Sequence, residues 1–354
     1  MDDLNFKHGG NIYEIKRRYG KGVIDFSANV SPLGLATGIK ETLYKDLNRI
    51  SCYPDPEAKD IREKIAKFWG IRKDNLLLGN GSVELIYLLT SLYRPKTASI
   101  PIPTFSEYEY SIRNLNCKIQ FLKLKEKKSF KLDLSKVIRS DIFFLCHPNN
   151  PTGNFILDDL RVVERLADKL IIVDEAFMDF LVDQEKYTLI WKAIDSKKIA
   201  VLRTFTKFFG LAGLRIGYLI THKKIIDRLR QCQPPWMINS LAQLAVQLIL
   251  DDKEYISKTY RLIEKERRYL FEQLSKIKGL EPFPSVANFL LIKIERDNLT
   301  SDILVKRLIE KGILVRDCSN FRNLNNNRYI RIAVRTHKDN LVLLGVLNST
   351  INTL

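Results

Sequence analysis

The middle of the chain alternates short apolar runs with stretches of helical periodicity. Asn75 to Leu78 predicts a strand that runs into Gly79-Asn80-Gly81-Ser82, and the apolar spacing from Val83 to Leu92 predicts a helix. Thr97 to Pro101 predicts a second strand, followed by a turn and a polar-aromatic helix from Thr104 to Leu115. Asp141 to Cys146 predicts a third, ending in His147-Pro148-Asn149-Asn150-Pro151-Thr152-Gly153, a dense run of turn formers. A helix is expected over Leu157 to Asp168, then a fully apolar strand from Leu170 to Val173 that stops at Asp174-Glu175. Ile199 to Leu202 predicts another strand, and the segment after it carries Lys207 and Arg215 before a further strand-like run.

Buried strands alternating with helices imply a mostly parallel sheet sandwiched by helices, an α/β fold. In such sheets ligands collect at the C-terminal ends of the strands. Asn150, Asp174 and Lys207 each follow a different predicted strand, so three residues far apart in the chain are expected at one site. Beyond them, Leu241 to about Lys278 predicts one long helix rich in Glu-Lys and Glu-Arg pairs. Strands over Asn288 to Ile294, Ile313 to Asp317 and Tyr329 to Val334, with helices over Ser301 to Lys311 and Lys338 to Asn348, predict a small α+β domain. No strong periodicity precedes about Thr37, and this segment is expected to pack across the cleft. The expected division is residues 1–40 as an N-terminal segment packing with the small domain, 41–245 as the large domain, and 246–354 as linking helix and small domain.

With 354 residues, 45% of them hydrophobic and 28% charged, the chain has enough material for two domains of an ordinary globular protein. The first twenty residues do not read as a signal peptide, and no apolar run approaches the roughly 18 residues that span a bilayer. The five cysteines are scattered without metal-ligand or redox spacing, which suits a reducing cytoplasm. A net charge of +17 raises nucleic-acid binding. However, the lysines are spread along the chain and no basic helix or zinc finger stands out, so a surface that attracts small anionic substrates is the expectation. The Lys-rich stretch from Lys123 to Lys131 reads as an exposed loop between strands.

The most informative stretch is Arg203-Thr204-Phe205-Thr206-Lys207-Phe208-Phe209-Gly210-Leu211-Ala212-Gly213-Leu214-Arg215. A Lys between hydroxyl residues, followed by an apolar Gly-rich run and one Arg, suits an amine that bonds a cofactor aldehyde beside groups that hold a phosphate. Gly81, Ser82 and Val83 would add backbone amides at a helix N-terminus, where an anion is favoured. With Asn150 in Asn-Pro-Thr-Gly and Asp174 at a strand end, the chain resembles the fold-type I pyridoxal 5′-phosphate enzymes, close to aminotransferase classes I and II, from about His8 to Arg335.

That resemblance implies an aspartate-aminotransferase-like large domain and assigns roles. Lys207 would bond the cofactor aldehyde; Arg215, Thr204, Thr206 and the Gly81-Ser82-Val83 amides would hold its phosphate. Asp174 would pair with the ring nitrogen, Asn150 with the ring hydroxyl, and Phe105 would stack on the ring face. Tyr53, in Tyr-Pro-Asp-Pro, would reach the phosphate of a neighbouring subunit, implying a homodimer with shared sites. Many relatives carry Tyr where this chain has Phe177, so one hydrogen bond to the ring oxygen is expected to be missing. The opening His8-Gly9-Gly10-Asn11 and Asp25-Phe26-Ser27-Ala28-Asn29 is similar to threonine-phosphate decarboxylases of cobalamin biosynthesis, and Phe177 and Pro234-Pro235-Trp236 with Asn239 fit that group. By this likeness His8, Gly9, Asn29 and Asn150 would contact the substrate, and Arg316 and Arg331 would bind its anionic groups, with Arg335 as a competitor. The implied reaction is decarboxylation of O-phospho-L-threonine to an amino-propanol phosphate. The alternatives are a histidinol-phosphate or related aminotransferase and an O-phospho-L-serine decarboxylase. No partner nucleic acid or membrane is expected.

Overall fold

A computed structural model describes residues 8–20, 22–324 and 326–352. The first strand, β1 (Ile24–Asp25), belongs to the N-terminal segment and lies away from the main sheet. The main sheet has seven strands: β2 (Leu76–Gly79), β3 (Thr97–Ile102), β4 (Lys118–Lys123), β5 (Ser140–Cys146), β6 (Ala167–Asp174), β7 (Ile199–Thr204) and β8 (Gly217–Ile220). Their order is β2-β8-β7-β6-β5-β3-β4. All neighbours pair in parallel except β8, which runs antiparallel to both β2 and β7.

The apolar runs explain this sheet. Successive residues of a strand point to opposite faces, and here each face feeds its own core. Phe143, Leu145, Ile171, Val173, Ile199 and Val201 enter one cluster. Ile142, Phe144, Leu170, Ile172, Ala200 and Leu202 enter the other. The strand order reverses between β5 and β3, and such a reversal opens a crevice beyond the strand ends. Beside it, the helix Gly81–Tyr93 starts against β8 because Gly217 has no side chain: a Cβ there would lie 2.6 Å from the Ser82 amide nitrogen.

A second layer follows, with β9 (Leu280–Pro282), β10 (Phe289–Ile294), β11 (Ile313–Leu314), β12 (Arg316–Asp317) and β13 (Tyr329–Ala333). The antiparallel order is β12-β13-β10-β9, while β11 pairs in parallel with β1. The expected strand over Ile313 to Asp317 is therefore two strands divided at Val315, because its halves pair with different partners. The register of β12 on β13 sets Arg316 opposite Arg331, so both arginines lie on one face of this sheet.

Two expected helices differ from those observed, and one helix was not expected. Over Leu157 to Asp168 the chain makes only a 3-10 turn, Leu160–Arg165, and β6 already begins at Ala167. Pairing of Ala167 with Ser140 takes the residues that a helix would have used. The long helix after Leu241 is two, Ser240–Ile249 and Lys253–Leu274. Asp252 starts the second by accepting a bond from the Tyr255 amide at 2.8 Å. The N-terminal segment holds an unexpected helix, Ile12–Tyr19, capped by Asn11 and closed by Gly20 at φ 65°. Only Ile15 of this eight-residue helix is buried, and so short a segment gives periodicity little room to show.

Candidate active site

Four strand ends meet at the base of a cleft of about 1150 Å³. Phe105 follows β3, Asn150 follows β5, Asp174 ends β6, and Thr204, Thr206 and Lys207 follow from β7; all line the cleft. Lys207 is partly buried, and its ammonium lies 5.9 Å from the Phe177 ring centre. Burial, then the nearby charges of Arg331 and Arg215, depress its pKa to about 8. An amine so placed is available as a neutral nucleophile near physiological pH.

Asp174 is held at both oxygens. Tyr108 donates its hydroxyl to Oδ2 at 2.7 Å, and the Ala176 amide donates to Oδ1 at 3.0 Å. Burial raises the pKa of this carboxyl, opposed first by the Tyr108 bond, then by the Ala176 amide and the charge of Lys207.

Beside Lys207 a helix N-terminus, a guanidinium and two hydroxyls line the same part of the cleft. The helix Gly81–Tyr93 has no side-chain bond at its N-cap, Asn80. The first amides of a helix have no partner within it, and Ser82 and Val83 line the cleft there. Gly81, at φ 78°, leaves room for the Arg215 guanidinium, which a Cβ at that position would strike. Arg215 donates to the Ala212 carbonyl at 3.3 Å and otherwise faces the cleft. The Thr204 hydroxyl donates to the Thr206 hydroxyl at 2.9 Å, joining two more donors on the same side.

The outer end of the cleft comes from the N-terminal segment and the second sheet. Arg331 is buried; it donates to the Asn150 side-chain oxygen and, at 2.8 Å, to the Ser27 carbonyl, while its Nε has no partner. Burial pushes its pKa down to about 10, so it stays charged at neutral pH. Arg316 donates to Asn320 Oδ1 at 2.6 Å and to the Asp317 carbonyl. Asn29 is 2% exposed, lines the cleft, and its side-chain oxygen is unpartnered. His8 meets Glu107 Oε1 at 2.9 Å and lies 5.7 Å from the Phe105 ring. Gly9 packs so closely on Ser27 that a Cβ would overlap its carbonyl.

Some expected residues lie elsewhere. Tyr53 is 83% exposed and packs against Trp236 with ring centres 4.9 Å apart, outside its own subunit's cleft, as a residue reaching a neighbouring subunit would be. Asn239 caps the helix Ser240–Ile249 and bonds the Leu214 carbonyl, which is a structural position. Arg335 turns to Asp339 and the Asp25 carbonyl and does not reach the cleft. The Lys-rich stretch is indeed mostly exposed, but Leu124 and Phe130 within it are buried.

Other residues emerged only from the structure. Tyr108 falls three positions after Phe105, so helical spacing was the available signal. Glu109 takes Arg322 through two bonds of 2.6 and 2.7 Å, tying the large sheet's side of the cleft to the loop after β12. Beneath the site, the fully buried Arg203 pairs with Glu175 and Asp179 at 2.8 and 2.6 Å. These bonds fix the ends of β6 and β7 together. Among the described residues, no group of His, Cys, Asp or Glu is placed to hold a metal ion, and no helix is long and apolar enough to cross a membrane.

A parallel sheet with one reversed strand, a small antiparallel sheet and a lysine at the cleft base together define a class. The family model for aminotransferase class I and II matches residues 21–347, and the chain belongs to that family. Among curated relatives, it is 33% identical to the threonine-phosphate decarboxylase of Salmonella typhimurium, over 98% of this chain and 97% of that one. It is 34% identical to the histidinol-phosphate aminotransferase of Methanococcus aeolicus, over 97% and 95%. The crystal structure of L-threonine-O-3-phosphate decarboxylase from Porphyromonas gingivalis superposes with a TM-score of 0.83 at 27% identity, covering 92% of this chain and 99% of that one.

Proposed function

We propose that this protein is a pyridoxal 5′-phosphate-dependent carboxy-lyase that removes the carboxyl group of O-phospho-L-threonine. The residues at the cleft base fit the cofactor. Ser82, Val83, Thr204, Thr206 and Arg215 would hold its phosphate, where the Gly81 backbone leaves space for the guanidinium. Lys207 would bond its aldehyde, Asp174 would pair with its ring nitrogen, Asn150 with its ring hydroxyl, and Phe105 would cover one face. Once bound, the cofactor supplies an electron sink for the pair released when a bond at the substrate Cα breaks.

The chain's own residues would decide which bond that is. The observation that carries the reading is the pair Arg316 and Arg331, opposite one another on β12 and β13, sharing the cleft with His8 and Asn29. Two guanidiniums suit a substrate with two anionic groups, and phosphothreonine carries a carboxylate and a phosphate. Arg331, tied to Asn150, would take one group near Lys207; Arg316 and His8 would take the other further out. Held at both ends, the substrate would have its Cα–carboxylate bond oriented for cleavage. Lys207 Nζ would then return a proton to Cα, a task suited to an amine with a pKa of about 8. The product would be an amino-propanol phosphate of the kind that enters the cobalamin nucleotide loop.

A second reading, histidinol-phosphate aminotransferase, is favoured by the 34% identity to the Methanococcus aeolicus protein. Histidinol phosphate has one anionic group, although the amino-acid partner of a transaminase would use both arginines. Phosphoserine differs from phosphothreonine by one methyl group, worth roughly 1–3 kcal/mol in a pocket. Incubating the cofactor-loaded protein with O-phospho-L-threonine tests the proposal. Carbon dioxide and an amino-propanol phosphate are the expected products. A keto acid formed from glutamate in the presence of the imidazole keto-phosphate, with no carbon dioxide from phosphothreonine, would replace it with the transaminase.

We further read the chain as a homodimer of three-part subunits, divided at 1–40, 41–245 and 246–354. Exposed Leu33, Leu35, Tyr44, Leu47, Ile50, Tyr53 and Trp236 support a subunit contact around Tyr53. Light scattering should give twice the 41.1 kDa chain mass. The free cysteines suit a cytoplasmic setting.

A further inference from the structure

We infer that Tyr108 is the positioning residue of the cofactor pocket, setting Asp174 with its hydroxyl and Phe105 with its ring. The inference rests on the cofactor assignment above and adds a residue that touches neither cofactor nor substrate in that scheme.

Three contacts converge on Tyr108. Its hydroxyl donates to Asp174 Oδ2 at 2.7 Å. Its ring stacks on Phe144 of β5, with centres 5.2 Å apart and planes 16° from parallel. Phe105 meets the same ring edge-on, at 5.6 Å and 84°. Tyr108 itself is 1% exposed, so it has no freedom to move without disturbing the strand beneath. One side chain therefore links the carboxylate at the end of β6 to the aromatic ring that follows β3. These are the two groups expected to grip the cofactor ring, one at its nitrogen and one on its face.

The hydrogen bond also favours one charge state. A donated phenol proton is held more strongly by a carboxylate than by a neutral acid, so the bond favours the ionised form, and burial keeps the Tyr108 phenol protonated. Asp174 is buried, and burial alone favours its neutral acid. The Tyr108 bond is the largest force against that, ahead of the Ala176 amide and Lys207. With both oxygens bonded, the carboxylate plane is defined, and each oxygen retains a lone pair for the protonated ring nitrogen. Tyr108 lies on a short helix, Glu107–Ile112, whose first residue meets His8 and whose third takes Arg322. Its inward-facing side chain serves the inner end of the cleft, while its neighbours serve the outer end.

The test is Tyr108→Phe, which removes one oxygen and keeps the ring contacts. Cofactor affinity of the apoprotein is measured by equilibrium titration, together with the pH at which binding fails on the acid side. Affinity should fall about 10- to 100-fold, the effect of one hydrogen bond to a buried charge. The acid limit should move to higher pH, because Asp174 is then more easily protonated. A double-mutant cycle with Asp174→Asn separates this from a general loss of packing. If the hydroxyl acts through Asp174, Tyr108→Phe should change affinity less than twofold in the Asp174→Asn background. Equal losses in both backgrounds, or a single variant that matches the parent, would overturn the inference while leaving the cofactor assignment standing. A parent protein that binds no pyridoxal phosphate overturns that assignment, and this inference with it. The melting temperature of the cofactor-free variants checks folding; an unfolded Tyr108→Phe is replaced by Phe105→Leu, which should weaken cofactor binding without moving the acid limit, and a moved limit counts against the division of labour argued here.

Discussion

The inner and outer ends of the cleft are held together in different ways. The inner residues hang from neighbouring parallel strands: Asn150 after β5, Asp174 on β6, Thr204 on β7 and Lys207 just beyond it. Their spacing is set by backbone ladders and by the buried Arg203–Glu175–Asp179 pairs under them. The outer residues come from the N-terminal segment and the second sheet; backbone ladders place them there, and side-chain bonds tie them across to the large sheet. Arg331 reaches Ser27 and Asn150, His8 reaches Glu107, and Arg322 reaches Glu109. A backbone ladder tolerates most side-chain changes, whereas a side-chain tie is lost with a single substitution. In the proposed reaction the inner end would hold the cofactor, and the outer end would orient the substrate.

The largest effect that would test this contrast is at Lys207. Lys207→Ala should lower turnover by about 10⁴-fold or more and remove the absorption band of the bound cofactor. An unchanged spectrum would sink the cofactor assignment. Next comes Arg331→Ala, which should reduce kcat/KM for phosphothreonine roughly 100-fold, as expected for lost charge-assisted hydrogen bonds, with the cofactor still bound. Cofactor loss in that variant would erase the distinction between the two ends.

A pH experiment sharpens the inner end. With the Lys207 pKa lowered to about 8, the neutral amine gains about tenfold per pH unit below 8 and is nearly saturated above it. The rate at which apoprotein captures pyridoxal phosphate should follow that curve. A rate that keeps climbing to pH 10 would mean the amine is not held in its neutral form. The smallest effect belongs to the rim. Arg322 is half exposed, so Arg322→Ala should raise KM only a few-fold and blunt its salt dependence. A change in cofactor affinity there, by direct titration, would contradict the assignment of Arg322 to the outer end.

Much of the inner end was legible because its signals are local. An apolar run ending in Asp174, or in the Lys207 segment, identifies a buried strand and the residue at its tip without reference to any neighbour. Tyr108 escaped because its partner lies 66 positions away and nothing around it marks a polar contact. The helix Ile12–Tyr19 escaped because so short a segment gives periodicity little room to show. The local pattern predicts a helix over Leu157 to Asp168 where the chain makes only the 3-10 turn Leu160–Arg165, because pairing of β6 with β5 leaves no local signal.

By itself, the sequence determined the alternation of buried strands and helices, the residues at the strand ends, and the class of chemistry a lysine among hydroxyls and an arginine can support. Periodicity and burial depend on each segment's own composition, so they survive without knowledge of the neighbours. The tertiary structure alone decided which arginine faces the cleft. The sequence favours Arg316 and Arg331 but leaves Arg335 as a competitor; the β12–β13 register sets the first two on one face, and Asp339 with the Asp25 carbonyl draws the third away. That choice depends on which segments pair, and pairing is a property of the whole chain.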